Sequence, residues 1–455
     1  MISFFPLILL LSLFIDYIFS TLTINSPQTL INELPAAKTI SYALNNFGKI
    51  PYGLTLSGYL YLANPKNACS AIKSHAEEDI AFLLSTRGDC TYVTKAKYAQ
   101  FMGVKLLIII SEQKDIQEED LNDDGYGSSI HIPSIVINER YGTLLINYLE
   151  SKKDLNNRIL LTMMFEVNKI DTQELTYTFW LSSSNRNSYK LVRDFKYYYK
   201  KLKDHAKFEA HYLFWNCEIC ASNNYQLIDV PDNCVSGGRY CCSDPDGEGV
   251  ASGRDIVLED LRQICLFNEN VETFFDYIDI FDLKCVEFQV LEECSRDILN
   301  TLNVEFATVK KCVDGSFSTK NEVDGINIVF DDNIILKKEK KTSNFFNVHF
   351  WPSVSINNMS FQGNLESEAI FDAICSFFNS PPDECHYTNG LREEGQIQSY
   401  ANHFTMFLII FLLFFFVFVI MIRIYKKIIK RELEKEMNSS IQNIMNQYIN
   451  IIDKK

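Results

Sequence analysis

The segments LTYTFWL (175–181), YKLVRDFKYYYKKLK (189–203) and FEAHYLFW (208–215) decide the fold of the central part of this chain. The first and third are short apolar runs typical of strands, and the second carries its apolar residues at helical spacing. A strand, a helix and a strand within about forty residues predict a parallel βαβ unit.

The residues after this unit extend it to a larger α/β domain. Its second strand runs into Cys217-Glu-Ile-Cys220, and much later Pro352 precedes a strand, a turn and a strand. A CxxC after a strand, with a distant Pro before another strand, resembles the thioredoxin fold. We therefore predict a thioredoxin-like α/β domain over residues 173–390. Its Cys-rich insertion has helical periodicity in 255–267 and 295–304 and is predicted to be helical.

A separate β-rich domain is predicted over residues 21–150, so the fold class is α+β with several domains. The segments with strand patterns are LTLSGYLYLA (54–63), IAFLLS (80–85), VKLLIIIS (104–111) and IHIPSIVI (130–137). Between them, YVTKAKYAQFMG (92–103) has helical spacing and ends in a Gly.

The order of motifs in this domain resembles the protease-associated domain. That family carries an RG-x-C turn, a helix with an AQ-x-x-G step and a later IPS segment. The matching residues are Arg87, Gly88, Cys90, Ala99, Gln100, Gly103, Ile132, Pro133 and Ser134. Cys69 and Cys90 are the cysteines of this unit and would pair with each other.

Two other patterns here are weak. Arg-Gly-Asp at 87–89 recurs too often by chance to indicate an adhesion motif. The sequence DLNDDG (120–125) has the spacing of an EF-hand loop, but His131 replaces the Glu that would complete it. We interpret it as an acidic surface loop and predict no metal and no cofactor.

Both ends of the chain indicate a membrane protein. The apolar run at 404–422 is long enough to span a bilayer, a buried core helix being the alternative, and basic residues follow it from Arg423. The basic flank predicts that residues 423–455 are a cytosolic tail. Residues 1–20 fit a cleaved signal peptide, with a signal anchor as the alternative. Together these features predict a single-pass type I membrane protein.

Composition supports this orientation. The chain has 13 Cys and a net charge of −15, and the Cys all precede the apolar run, as expected of a disulfide framework in an oxidising compartment. Because 13 is odd, at least one thiol is free or pairs with another chain. The acidic charge argues against a nucleic-acid partner.

Two alternatives concern the CxxC. A redox pair needs a helix N-terminus to stabilise its thiolate, but the sequence after Cys220 has no apolar helical stripe. A membrane-anchored thiol oxidoreductase using Cys217 and Cys220 is therefore the alternative function. A zinc site from these two with Cys241 and Cys242 is less favoured, because adjacent cysteines are poor ligands for one ion.

A more extensive resemblance covers nearly the whole region before the membrane run. The stretch CVSGGRYCCSDPDGEGVASGRDIVLEDLRQICLF (234–267) resembles the signature of the vacuolar sorting receptors, and segments at 179–185, 276–285 and 353–375 follow the same order. The cysteines that fall where the family has cysteines are Cys217, Cys234, Cys241, Cys265, Cys285, Cys294, Cys312, Cys375 and Cys385. Cys220 is a looser match, and Cys242 is our candidate for the free thiol.

The resemblance implies cargo capture by the two lumenal domains. In this family the turn matching Arg87, Gly88, Asp89 and Cys90 helps to form a peptide-binding groove, and an Arg can clamp a carboxylate or carbonyl with its planar fork of donors. Arg87 as a solvated loop residue is the alternative. The epidermal-growth-factor-like repeats of the family are missing, so calcium-controlled release is not expected.

The tail adds a sorting signal and the lumenal part a modification site. Tyr448-Ile-Asn-Ile451 has the spacing of a Tyr-based signal whose Tyr and Ile fill two pockets of a clathrin adaptor. Asn358-Met-Ser360 is a lumenal glycosylation sequon.

These features predict a non-enzymatic cargo receptor. It would bind soluble vacuolar or lysosomal hydrolases in the Golgi and trans-Golgi, and sort them through clathrin adaptors to endosomal or vacuolar membranes. A purely structural surface glycoprotein is a third possibility, which predicts no role for Tyr448.

Overall fold

The computed structural model describes most of residues 21–385 and part of the tail. The described residues are 21–34, 38–73, 82–111, 124–151, 158–172, 174–217, 220, 230–247, 249–285, 290–318, 325–385, 421–423, 425–427, 429–431, 433, 435, 437–442 and 445. The chain divides into two compact units, Met1–Pro382 and Asp383–Lys455. In the second unit the described residues between 421 and 445 are helical.

The described strands are β1 (Thr21–Ser26), β2 (Thr39–Ile40), β3 (Tyr42–Leu44), β4 (Thr55–Leu62), β5 (Phe82–Thr86), β6 (Leu106–Ile110), β7 (Ser134–Ile137), β8 (Leu160–Met164), β9 (Thr176–Leu181), β10 (Lys207–Tyr212), β11 (Cys234–Val235), β12 (Tyr240–Cys241), β13 (Phe317–Ser318), β14 (Asp332–Asn333), β15 (Ser353–Ile356) and β16 (Met359–Ser360). The described helices are α1 (Gln28–Ile31), α2 (Tyr92–Phe101), α3 (Glu139–Ser151), α4 (Arg186–Leu202), α5 (Gly253–Glu269), α6 (Val271–Lys284), α7 (Leu291–Thr301), α8 (Phe306–Gly315), α9 (Ile334–Phe345) and α10 (Ser367–Ser376).

The first domain is built on one mixed sheet with the strand order β2-β1-β8-β4-β5-β6-β7-β3. Strands β4 to β7 run parallel, and β1, β8 and β3 pair antiparallel with their neighbours. The strands expected at 54–63, 80–85, 104–111 and 130–137 and the helix at 92–103 are all present.

Helices on both faces of this sheet explain its apolar centre. Every residue of β6 (LLIII) is buried, as expected when both faces of a parallel strand are covered. Val93 and Ala96 of α2 pack in one apolar cluster, whereas Tyr141 and Leu145 of α3 pack in the other.

The sheet extends past residue 150, where the sequence analysis ended the first domain. Strand β8 lies between β1 and β4, with Met163 opposite both Leu22 and Leu56. Its five residues, LLTMM, are too few to show a clear strand pattern without knowledge of their neighbours. A domain limit at 150 would therefore divide this sheet.

The second domain has the predicted thioredoxin-like core. Strand β9, the crossover helix α4 and β10 form the parallel βαβ unit, with Trp180 opposite His211. After the insertion, the Trp351–Pro352 peptide bond is cis and leads into β15, which pairs antiparallel with β9. The sheet order is β10-β9-β15-β16. The prediction of this α/β domain is confirmed.

The insertion is helical and contains a buried charged network on α5. A capping box formed by Ser252 and Asp255 begins this helix. The side chain of Glu259 is fully buried and accepts a hydrogen bond from Arg262 Nε at 2.8 Å, in an ion pair whose arginine is 6% exposed. The hydroxyl of Tyr277 on α6 donates to the other carboxylate oxygen at 2.7 Å. This network links α5 to α6 in the interior of the insertion.

Polar contacts join the two domains within the first unit. The Tyr52 hydroxyl donates to Gln362 O at 3.1 Å and accepts from Gln362 N at 2.7 Å. Asn364 N donates to Gly48 O at 2.9 Å, and Gly48 N donates to Asn364 Oδ1 at 3.0 Å. The loop between β3 and β4 and the loop after β16 are therefore held together by both backbone and side-chain hydrogen bonds.

Several predicted features lie outside the described residues. They are the signal peptide at 1–20, most of the apolar run at 404–422, residues 120–123 of the acidic loop, the stretch 221–229 after the CxxC, and Tyr448 with Ile451. Among the residues that are described, the structure contains no helix with the length and apolarity needed to cross a bilayer.

Candidate functional site

The turn between β5 and α2 carries the predicted cargo-binding residues. Gly88 and Asp89 both have positive φ angles, of 93° and 66°. Cys90 follows them and is bonded to Cys69 with an S–S distance of 2.06 Å. Asn67 Nδ2 donates to Asp89 Oδ2 at 2.6 Å. The turn is therefore joined to the loop at 64–69 by one covalent bond and one hydrogen bond.

Lys95 of α2 supports this turn from the interior of the domain. The residue is fully buried, and its ammonium donates to Gly88 O at 2.8 Å and to Asn67 O at 2.6 Å. A charged donor holding two carbonyls fixes both loops, since hydrogen bonds to charged groups are the stronger ones. Sequence reasoning missed Lys95, although it lies three residues after Tyr92 and four before Ala99, on the buried face of the helix.

Replacing Lys95 with Met should destabilise the turn. The variant keeps the apolar stem but leaves the carbonyls of Asn67 and Gly88 without this donor, which should lower the free energy of unfolding by about 2 kcal/mol. Urea unfolding of the full chain measures the loss. Lys97→Met, on the exposed side of the same helix, is the matched control. Equal effects of the two changes would contradict a supporting role for Lys95.

The AQ-x-x-G step positions the segment before β7. Gln100 Nε2 donates to Ser129 O at 3.0 Å, and His131 N donates to Gln100 Oε1 at 2.6 Å. Gly103 follows the end of α2 with a φ of 81°, a conformation that favours glycine. These residues therefore fix how the loop before the IPS segment meets the helix.

The predicted turn residues lie together but differ in exposure. Arg87 is half-buried, with its backbone N–H donating to Ile110 O at 3.2 Å, and Asp89 is exposed. Because β5 and β6 are parallel, the turn lies at their carboxyl ends, the edge where open α/β sheets usually bind ligands. The arrangement offers a guanidinium and a carboxylate on a braced loop.

The CxxC is oxidised and largely shielded from solvent. Cys217 and Cys220 form a disulfide of 2.04 Å, and Cys220 is 7% exposed. Cys217 N donates to Gly238 O at 2.9 Å. Gly238 has a φ of 83°, and a side chain there would place its Cβ only 2.4 Å from Cys220 Cβ. The close approach of Gly238 makes this disulfide part of a packed structure.

The other cysteines are nearly all in disulfides. Cys220, which matches the family pattern only loosely, pairs with Cys217. The other disulfides with resolved geometry are Cys234–Cys241, Cys265–Cys312 and Cys285–Cys294, and Cys375 and Cys385 are also disulfide-bonded. Cys242 is the free, buried thiol.

A zinc site of Cys217, Cys220, Cys241 and Cys242 is inconsistent with this bonding. Three of the four sulfurs are in disulfides, whereas zinc binds thiolates. In the part of the chain that the structure describes, no group of three or more His, Cys, Asp or Glu has the geometry of a metal site.

Asn358 lies at the tip of the β15–β16 hairpin. It is exposed, and both Asn357 and Asn358 have positive φ angles, as a tight hairpin turn requires. The side chain of Asn357 faces inward, where its Oδ1 accepts from Thr176 N at 2.9 Å. The sequon asparagine therefore lies on the accessible side of the turn.

Family models match both domains. Residues 56–145 match the PA domain, and residues 175–375 match the vacuolar sorting receptor thioredoxin-like domain. The chain is 26% identical over 397 residues to vacuolar-sorting receptor 1 of Pisum sativum, covering 80% of this chain and 60% of the relative. It is 27% identical over 389 residues to vacuolar-sorting receptor 7 of Arabidopsis thaliana, covering 75% and 57%. The chain thus spans about 60% of the length of these relatives.

Among solved structures, the chain is similar to reduced DsbA of Mycobacterium tuberculosis. The identity is 14%, with 49% of this chain and 93% of that chain covered, and the TM-score is 0.28. A likeness at this score carries no argument about chemistry.

Proposed function

We infer that this chain, a distant member of the vacuolar sorting receptor family, is a type I membrane receptor for soluble cargo of the secretory pathway. Its cargo would be hydrolase-like proteins, sorted from the Golgi to vacuolar or lysosome-like compartments. The relatives' names describe vacuolar sorting, and both family domains occur here in succession.

The observation that supports this proposal most is the construction of the turn at 87–90. The Cys69–Cys90 disulfide and the buried Lys95 brace it from two sides. A binding loop that is rigid before its ligand arrives loses less conformational entropy on binding. Arg87 would contact a cargo carboxylate or carbonyl, and the exposed Asp89 would contact a backbone N–H or a basic side chain.

The cytosolic sorting signal and the lumenal glycosylation site belong to the same proposal. Tyr448 and Ile451 would bind a clathrin adaptor as a short extended segment. Asn358 would carry an N-linked glycan, for which its exposed hairpin tip leaves space.

Replacing Arg87 with Ala should reduce cargo capture at least tenfold. The full chain, solubilised in detergent, is immobilised and exposed to soluble secretory proteins, and the retained hydrolases are quantified. Loss of one buried charged contact typically costs more than the 1.4 kcal/mol that corresponds to tenfold. Arg87→Lys should recover part of the binding, because it keeps the charge without the planar fork.

The matched control is Arg140→Ala, which removes an exposed arginine from α3 of the same domain. Undiminished cargo capture by Arg87→Ala would place the cargo site elsewhere.

A thiol oxidoreductase is the second candidate, since a thioredoxin-like domain here contains a closed Cys217–Cys220 disulfide. Absence of cargo together with turnover of a dithiol substrate, abolished by Cys217→Ser, would favour this activity over the receptor.

A further inference from the structure

A cleft of about 500 Å³ lies between α9 and the β11–β12 hairpin, outside the turn described above. We call it the basic cleft. Its charged and aromatic lining consists of Arg239, Tyr240, Lys337, Lys340 and Lys341. Four cationic side chains around one concavity contrast with the net charge of −15 of the chain. Such a local concentration attracts anions, because charges beyond about 8 Å are largely screened at physiological salt.

The cleft already holds one carboxylate at its rim. Asp332 Oδ1 accepts from Arg239 Nε at 3.1 Å and from the Tyr240 hydroxyl at 3.3 Å. Lys337 Nζ lies 3.7 Å from the other oxygen of Asp332. Donors from β12, the adjoining turn and α9 therefore converge on a carboxylate, and the Asp332 side chain is 36% exposed.

Lys340 lies deeper in the cleft. Its ammonium donates to Phe214 O at 2.7 Å, and partial burial lowers its pKa. A partly desolvated ammonium gains from an anionic neighbour. The acid beside it in sequence, Glu339, does not supply one, because Glu339 is 4% exposed and its carboxylate already accepts from His211 and Tyr212.

Apolar side chains flank the lysines on the outer face of α9. Ile334 is 60% exposed and Phe345 is 80% exposed. They lie on the same face as Lys337 and Lys341, since three or four residues make one helical turn. The eleven-residue step between them corresponds to about 17 Å, which an extended peptide of about five residues spans.

We propose that the basic cleft and the outer face of α9 bind an extended acidic peptide segment with an apolar residue at each end. The carboxylates of the peptide would contact Arg239, Lys337, Lys340 and Lys341. Its apolar ends would cover Ile334 and Phe345. Recognition of acidic segments by clustered cations and a tyrosine hydroxyl follows the charge-assisted geometry already made with Asp332. This site is separate from the turn at 87–90 and does not depend on it.

The test measures binding of two fluorescent hexapeptides to the full chain in detergent. FDEEDF is acidic with apolar ends, and FNQQNF is its near-isosteric neutral counterpart. We expect FDEEDF to bind at least tenfold more tightly, with an affinity that falls as salt rises. Lys337→Gln combined with Lys341→Gln should weaken FDEEDF binding at least tenfold. Lys310→Gln combined with Lys311→Gln, an exposed pair on α8, is the matched control and should change little.

A variant that is expected to bind the peptide more tightly makes the test sharper. Asp332→Asn removes the internal carboxylate that competes for Arg239 and Lys337, so it should tighten FDEEDF binding several-fold. A protein that merely loses its fold could not give a gain of affinity.

Three results would overturn the proposal. They are equal affinity for the two peptides, equal weakening by the α8 control pair, and binding of heparin without binding of FDEEDF. Arg87→Ala should leave FDEEDF binding unchanged, so this site and the proposed cargo turn can fail independently.

Discussion

Replacing Arg262 with Met should lower the free energy of unfolding by about 3 to 5 kcal/mol. The change leaves the Glu259 carboxylate, whose side chain has no exposed surface, without its positive partner in the interior of the insertion. Removing one member of a buried pair costs this much because the remaining charge stays desolvated and uncompensated. Methionine keeps most of the arginine's apolar volume, so lost packing contributes little. Chemical unfolding of the full chain measures the loss.

A surface pair supplies the matched control. Arg296 and Glu292 form an i,i+4 ion pair on α7, with both side chains 48% exposed. Arg296→Met should cost no more than about 1 kcal/mol, because solvent screens the exposed pair and the exposed contact of Arg296 with the Phe306 ring contributes little.

A compensating change tests the cause. Adding Glu259→Gln to Arg262→Met removes the stranded charge and keeps an acceptor for Tyr277, so the double variant should recover part of the lost stability. A double variant less stable than Arg262→Met would show that the charge is not the source of the effect.

The sequence predicts those parts of the fold that depend on apolar patterning. LTYTFWL, the amphipathic α4 and FEAHYLFW form the expected βαβ unit because their apolar residues point into one core. The β6 segment is predicted as readily, because helices cover both faces of its sheet and all five of its residues are therefore apolar. Such segments are long enough, or apolar enough, to show their periodicity without knowledge of their neighbours.

The features that were missed depend on contacts distant in sequence. Strand β8 is five ordinary residues whose place is set by pairing with β1 and β4. Helix α9 is rich in lysine, and the buried role of Glu339 arises from His211, 128 residues away. Lys95 lies on the buried face of its helix, but the two loop carbonyls that its ammonium contacts are not indicated by the sequence. Spacing along the chain indicates none of these partners.

The candidate site, too, could be predicted from the sequence only in part. The motif at Arg87, Gly88 and Cys90 locates a turn, and the structure places its residues at the carboxyl ends of parallel strands. The CxxC spacing allows a pairing of Cys217 with Cys220, but nothing in the local sequence indicates that Gly238 packs against this disulfide. That packing depends on the backbone approach that places Gly238 against the disulfide.

Replacing Asp260 with Asn should stabilise the chain by roughly 4 kcal/mol at pH 7, an effect that disappears near pH 4. Complete burial raises the pKa of Asp260 from 3.8 to about 8, although hydrogen bonds from Ser183 act in the opposite direction. Because the folded pKa lies above the unfolded one, the stability present below pH 3.8 is lost progressively as the pH rises to about 8. Asparagine never ionises, and its side-chain oxygen can still accept from Ser183 N, which is now 2.8 Å from Asp260 Oδ1.

The full pH profile separates this effect from that of His211. Burial lowers the pKa of His211, but hydrogen bonds to Glu209 and Glu339 outweigh it and raise the pKa from 6.5 to about 9. The stability that His211 contributes is complete below pH 6.5 and is lost as the pH rises through 9. Unfolding measured from pH 4 to pH 9 should therefore show a continuous decline for the natural chain.

For Asp260→Asn the same measurement should show little change up to about pH 6.5, followed by a decline from His211. Parallel profiles for the two proteins would mean that Asp260 ionises alike in the folded and unfolded chain, and would refute the argument. The expected decline makes the thioredoxin-like domain most stable in mildly acidic surroundings, because each step towards neutral pH favours the ionised Asp260 of the unfolded chain. On the route that we propose, towards an acidic compartment, the domain would thus gain stability.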